Sequence, residues 1–150
     1  MVTLALAIAS LPAQAEWSHV SGTAMTTRIE MQYWTNDPAV AEQAGEAVLE
    51  VFKQIDQQMS RYREDSELSR LNRLAAREPV KVSDSLFRVL QRANHIAELS
   101  DGAFDISFGS VGYLYDYRAG KQPSDEELAA GLGAVNYQAI VLNPQTREVR

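Results

Sequence analysis

Residues 59–72 read Met-Ser-Arg-Tyr-Arg-Glu-Asp-Ser-Glu-Leu-Ser-Arg-Leu-Asn, setting one aromatic ring between two arginines. Tyr62 offers a flat face for stacking and a hydroxyl for hydrogen bonding, with Ser60 and Ser66 as short polar groups beside it. Arg61 and Arg63 supply cations suited to phosphate. Such a loop can receive a planar, phosphate-bearing ligand. The same residues also describe a solvated loop whose tyrosine covers the end of the preceding helix.

A second segment, Ser100-Asp101-Gly102-Ala103-Phe104-Asp105-Ile106-Ser107-Phe108-Gly109-Ser110, combines small residues with two aromatic rings and two glycines. Backbone can approach a ligand closely there. Asp105 lies between Phe104 and Ile106, where a carboxylate needs hydrogen bonds from a ligand or from backbone. A helix cap followed by a strand with Asp105 on its outer face fits the residues as well. Third, Tyr113, Tyr115 and Tyr117 alternate and would line one face of an extended segment, as a ligand wall or a packed cross-strand cluster. His19 and His95 are isolated, and a chain without cysteine has neither thiolate metal sites nor disulfides. No Walker loop, Gly-x-Ser-x-Gly, His-Glu-x-x-His or dinucleotide-binding glycine fingerprint occurs.

The elements that must position these segments follow from periodicity. Gly22 to Trp34 alternates, with Ile29, Met31 and Tyr33 on one face, which predicts a half-buried strand. Asp37 is the expected N-cap and Pro38 the first residue of a long helix. Its apolar face carries Val48, Val51, Phe52, Ile55 and Met59, and Gly45 within it marks a close packing contact. Asp65 or Ser66 caps a turn bearing Leu68, Leu71 and Leu74, and Pro79 to Val82 is extended. Ser83 caps a helix presenting Leu86, Val89, Leu90, Ala93 and Ala97, which Gly102 ends in a left-handed turn. Ser124 and Glu127 form a capping box. Ala139 to Leu142 is a strand, Asn143-Pro144 a turn, and Arg147 to Arg150 the start of a partner strand. This order of elements predicts an α+β fold.

The 150 residues suit one domain or part of a larger one, and 45% hydrophobic with 23% charged residues is globular composition. A net charge of −6 argues against a nucleic-acid footprint. An acidic chain that binds phosphates needs local cations, a metal or helix N-termini to do so. Residues 1–15 read as an export signal: an apolar run too short to span a bilayer, Pro12, then Ala13-Gln14-Ala15 before a cleavage point at Glu16. An ordinary buried strand or helix is the alternative. No Lys or Arg precedes the run, and the final strand stops after four residues, so the chain is expected to be clipped at both ends.

Together these segments resemble the ApbE family of periplasmic FAD:protein FMN transferases. Ser21-Gly22-Thr23 is similar to the family's Met-Gly-Thr, and Met59 to Asn72 to its Ser-x-Tyr…Ser-x-Leu…Leu-Asn segment. Ser100 to Gly109 resembles Thr-Asp-Gly-Ala-Phe-Asp-Ile-Thr-x-Gly, and Asn136-Tyr137 falls where the family has a similar turn before a strand. The resemblance implies a T-fold-like mixed sheet with packed helices over residues 16–150, here incomplete. It also implies a reaction: FAD is the substrate, Mg2+ lies on its pyrophosphate, and FMN passes to a threonine hydroxyl of an acceptor protein with release of AMP. The acceptors it implies are subunits of membrane-bound respiratory ion pumps. By the same resemblance Ser21, Tyr62, Ala103, Phe104 and Asp105 bind FAD.

Three departures accompany it. Ser21 stands where the family has methionine, which leaves only backbone contacts to carry over. Ser110 stands where the family often has proline, and a tyrosine-rich run replaces a Leu-Trp-Gly-like stretch. The family's carboxy-terminal half holds another glycine-rich FAD segment, most of the magnesium ligands and the base. It has no counterpart in these residues, which alone are expected to be inactive. A non-catalytic periplasmic module that binds flavin or a partner is the other reading.

Overall fold

The computed structural model describes residues 16–117 and 119–150, so the export segment read at residues 1–15 lies outside them. The chain divides into two compact units, one ending at Gln57 and the other running from Gln58 to Arg150.

The first unit is a hairpin with a helix. Strands β1 (Glu16–Ala24) and β2 (Thr27–Thr35) pair antiparallel, from Glu16 opposite Thr35 to Ala24 opposite Thr27. The single strand expected from Gly22 to Trp34 is therefore broken at Met25-Thr26. Both take positive φ, 51° and 60°, the geometry of a two-residue hairpin turn. Neither is a residue that favours this region, so the sequence carries no turn signal there. The alternation within β2 holds: Ile29, Met31 and Tyr33 are half-buried while Arg28, Glu30 and Gln32 are exposed.

Helix α1 (Pro38–Met59) starts as expected, with Asp37 Oδ1 accepting from the amides of Ala39 at 2.9 Å and Val40 at 3.3 Å. Within the first unit the helix meets the hairpin through Gly45 and Leu49. A Cβ placed on Gly45 would stand 2.6 Å from Val20 Cγ2, and one on Gly22 would stand 2.6 Å from Leu49 Cδ2. Val48 and Val51, expected on the apolar face, are exposed instead, because two strands do not cover that width of helix.

The second unit carries helices α2 (Glu67–Leu74), α3 (Asp84–Leu99), α4 (Gly109–Gly112) and α5 (Asp125–Leu132), with 3₁₀ turns at Ile106–Phe108 and Tyr137–Ala139. Strands β3 (Val80–Lys81), β4 (Leu142–Asn143) and β5 (Glu148–Val149) form a small antiparallel sheet with β5 in the middle. Its core is Leu71, Val80, Val82, Leu86, Phe87, Leu90 and Val149, with Met59, Leu68, Ile106 and Leu142 packed around them. Of the residues expected on the apolar face of α3 only Val89 is exposed.

Three expectations change here. Helix α3 ends in a Schellman pair, Gly102 N donating to Ala97 O at 2.8 Å and Asp101 N to Glu98 O at 3.2 Å, with Asp101 at φ 51° as well as Gly102 at φ 79°. The strand expected from Ala139 shrinks to Leu142–Asn143, because Asn136 Oδ1 accepts from Gln138 N at 3.0 Å and starts a helical turn. The tyrosine run is not extended. Gly109–Gly112 is helical, so Tyr113 parts from Tyr115 and Tyr117, whose rings stack 5.8 Å apart at 10°.

At α5 the capping box is complete: Ser124 N donates to Glu127 Oε2 at 2.9 Å, and Glu127 N to Ser124 Oγ at 3.2 Å. The Ser124 backbone N–H holds the Glu127 carboxyl below the usual carboxylate range. A lowered folded-state pKa contributes stability that is present above the unfolded value and is lost as pH falls through the folded one. Glu127→Gln should therefore flatten the acid side of a stability–pH profile while leaving its course at higher pH unchanged. An unchanged acid limb would contradict this.

Gly45→Ala sets two effects against each other. Helix propensity favours alanine by about 1 kcal/mol, while overpacking against stiff Val20 costs about 1–3 kcal/mol. The urea midpoint should fall; a rise, as propensity alone would give, would show that α1 and β1 are not held this close.

Candidate functional site

The loop from Ser60 to Ser66 is closed on itself by one buried hydroxyl. Ser66 Oγ donates to Ser60 O at 2.6 Å and accepts from Ser69 N at 3.0 Å, so the N-cap of α2 also fixes the start of the loop. Tyr62 N donates to Ser60 Oγ at 3.3 Å, and Ser66 N to Arg63 O at 3.2 Å. Arg73 Nη1 donates to Glu64 O at 2.9 Å, and Arg63 Nη2 pairs with Asp65 Oδ2 at 2.9 Å.

On this frame Tyr62 projects into solvent, 79% exposed. Its hydroxyl accepts from Arg61 Nη2 at 2.6 Å, and the guanidinium carbon stands 4.5 Å from its ring centroid. That carbon is also 5.1 Å from the centroid of Tyr113, which arrives from the end of α4. Asn72 of α2 donates to the Tyr113 hydroxyl at 3.3 Å. A cation lies between two rings on an exposed surface.

The second segment is a knot of polar contacts. Asp105 is half-buried and caps the turn Ile106–Phe108, with Oδ1 accepting from Ser107 N at 2.8 Å and from Ser107 Oγ at 2.7 Å. Asp105 Oδ2 accepts from Tyr137 N at 2.8 Å, and Asn136 N donates to Ser107 Oγ at 2.7 Å. Ser100 Oγ accepts from Phe104 N at 3.0 Å. Ala103 and Phe104 are exposed beside it. The carboxylate between two apolar residues is therefore satisfied by this chain's own amides.

The sequence model described as ApbE family matches residues 25–150. The chain belongs to the ApbE family. It is 30% identical over 149 residues to the FAD:protein FMN transferase of Haemophilus influenzae, covering 95% of this chain and 43% of that protein. The protein of the same name from Vibrio cholerae is 30% identical over 147 residues, covering 94% and 44%. Among solved structures it is similar to the flavin transferase ApbE from Vibrio cholerae, with TM-score 0.79 and 27% identity over 91% of this chain and 45% of that one. The ApbE protein from Thermotoga maritima matches with TM-score 0.77 and 25% identity over 89% and 44%. The α+β fold is that of these ApbE structures, and the chain spans under half the length of the curated relatives it matches.

Of the residues singled out by sequence, Tyr62, Ala103, Phe104 and Asp105 belong to the second unit. Ser21 is in the first, exposed on β1 opposite Glu30. Two participants carry no signal in the sequence: Tyr113 alternates with Tyr115 and Tyr117, and Asn136-Tyr137 reads as a turn with no link to Asp105. Only an Asp-x-Ser followed some thirty residues later by Asn-Tyr could have hinted at the second pairing. Among the described residues no group of three or more His, Asp or Glu could hold a metal ion.

Asp105→Ala would leave two amides and a hydroxyl without their acceptor, costing about 2 kcal/mol, with Asp105→Asn costing less because one oxygen remains. Hydrogen exchange at the Tyr137 amide should speed up in step with the loss. Unchanged exchange there would mean that the carboxylate does not hold this turn.

Proposed function

We propose that the complete protein is a flavin transferase that takes FAD and passes its FMN part to a threonine hydroxyl of an acceptor protein. The threonine oxygen attacks the phosphorus on the FMN side of the pyrophosphate. The bond from that phosphorus to the bridging oxygen breaks, AMP leaves with the oxygen, and the hydroxyl proton passes to a base or to water. Positioning and charge neutralisation dominate catalysis of this kind. The observation that carries the reading is family membership over residues 25–150, beside relatives that bear this activity in their names. In the family a magnesium ion is expected to neutralise the pyrophosphate.

We assign FAD contacts within the second unit to Tyr62, through its exposed ring, and to the backbone of Ala103, Phe104 and Asp105; Ser21, in the first unit, is assigned FAD contact through its backbone on the family resemblance alone. The ring of Tyr62 is free to stack, and the engaged carboxylate of Asp105 favours a role for main chain over side chain. Export to the periplasm, read from residues 1–15, and acceptors among respiratory ion-pump subunits complete the proposal.

The test is covalent labelling. The full-length protein, incubated with FAD, magnesium and a threonine-bearing acceptor, should give an acceptor band that fluoresces as flavin in a denaturing gel. Residues 16–150 alone should give none. No fluorescent band from the full-length protein, with an acceptor that a known transferase can label, overturns the assignment. Tyr62→Ala should weaken FAD binding about tenfold, since stacking on one ring contributes roughly 1–3 kcal/mol. Unchanged affinity would make Tyr62 a solvated cover of the helix end.

A further inference from the structure

Four arginines surround the loop and α2, and they differ in what they hold. Arg63 faces the carboxylate of Asp65, Arg73 donates to Glu64 O at 2.9 Å, and Arg70 donates to Lys81 O at 2.6 Å. All three stitch the chain to itself. Arg61 lies within ion-pair distance of no carboxylate among the described residues, and its contacts are the two rings and the Tyr62 hydroxyl. An exposed arginine ordinarily spreads over many rotamers; held between two rings, it keeps its remaining N–H donors in one place.

We propose that Arg61 recognises the phosphates of the nucleotide and that Tyr113, braced by Asn72, is the positioning residue that holds its guanidinium ready. This rests on the flavin-transferase reading and names the cation that reading leaves unspecified. Arg61 covers part of Tyr62, a residue that stays 79% exposed, so one ligand can stack on the ring and meet the guanidinium beside it. Tyr113 is 54% exposed, and its ring adds little to any core, so its value lies in the contact with Arg61. Pre-positioning lowers the ordering entropy that a phosphate contact would otherwise cost on binding.

Binding of FAD and of riboflavin, which lacks phosphates, to the full-length protein separates the roles. Arg61→Gln should weaken FAD about tenfold, leave riboflavin within twofold, and reduce the salt dependence of FAD binding. Tyr113→Leu should give a smaller FAD-selective loss, and the Arg61→Gln, Tyr113→Leu double variant should be no worse than Arg61→Gln alone. Unchanged FAD affinity in Arg61→Gln, or equal losses for both ligands, overturns the phosphate role. Additive losses in the double variant overturn the positioning role. If the unaltered protein binds neither flavin, the transferase reading itself fails, and that result is distinct from the others.

Discussion

The Ser66 hydroxyl is the contact on which the candidate site depends. It is fully buried, and it satisfies one carbonyl and one amide with a single oxygen, at 2.6 Å and 3.0 Å. The carbonyl belongs to the first residue of the loop and the amide to the first turn of α2. The direction in which Tyr62 projects and the register in which Leu71 enters the core are therefore set together. Glu67, the next residue, extends the brace by accepting from Ser83 N and Ser83 Oγ, each at 2.6 Å, which ties the start of α2 to the start of α3. A helix of eight residues is marginal alone. Here its first turn is anchored on both sides by polar contacts that an apolar core could not direct.

The same device recurs at Asp105. A short side chain accepts from the next turn and reaches a backbone amide thirty-two residues on. Both anchors place small polar groups where burial would be costly without partners, and both have them. The exposed faces of the site, Tyr62 in one segment and Ala103-Phe104 in the other, thus rest on hydrogen bonds more than on packing.

Much of the fold was legible because it is written in local chemistry. Asp37, Ser83 and Ser124 cap the helices that their positions announced, Ser66 rather than Asp65 caps α2, and Leu71, Leu86 and Leu90 are buried as their spacing required. Gly45 was readable as a close approach, although Val20 as its partner was not. What could not be read is of two kinds. Met25-Thr26 adopts left-handed backbone without the residue types that favour it, because strand pairing overrides local preference, while Asp101, a type that tolerates it, joins Gly102 in the turn that ends α3. Tyr113 reaches Arg61 across fifty-two residues and Asn72 across forty-one, and Tyr137 reaches Asp105 across thirty-two. Long-range contacts between polar side chains leave no periodicity to detect.

Charge explains why the local arrangement matters so much. A chain of net charge −6 repels a pyrophosphate at long range, so its field does not steer such a ligand inward. Attraction must come from contacts within a Debye length, about 8–10 Å at ordinary salt. The arginines on the loop and α2 are concentrated in the right place, yet Arg63 faces the Asp65 carboxylate, and Arg70 and Arg73 donate to the carbonyls of Lys81 and Glu64. Holding the loop shut and presenting a cation are competing uses of the same residue type. Two tyrosines resolve the conflict: rings fix a guanidinium without neutralising it, which a carboxylate partner would do.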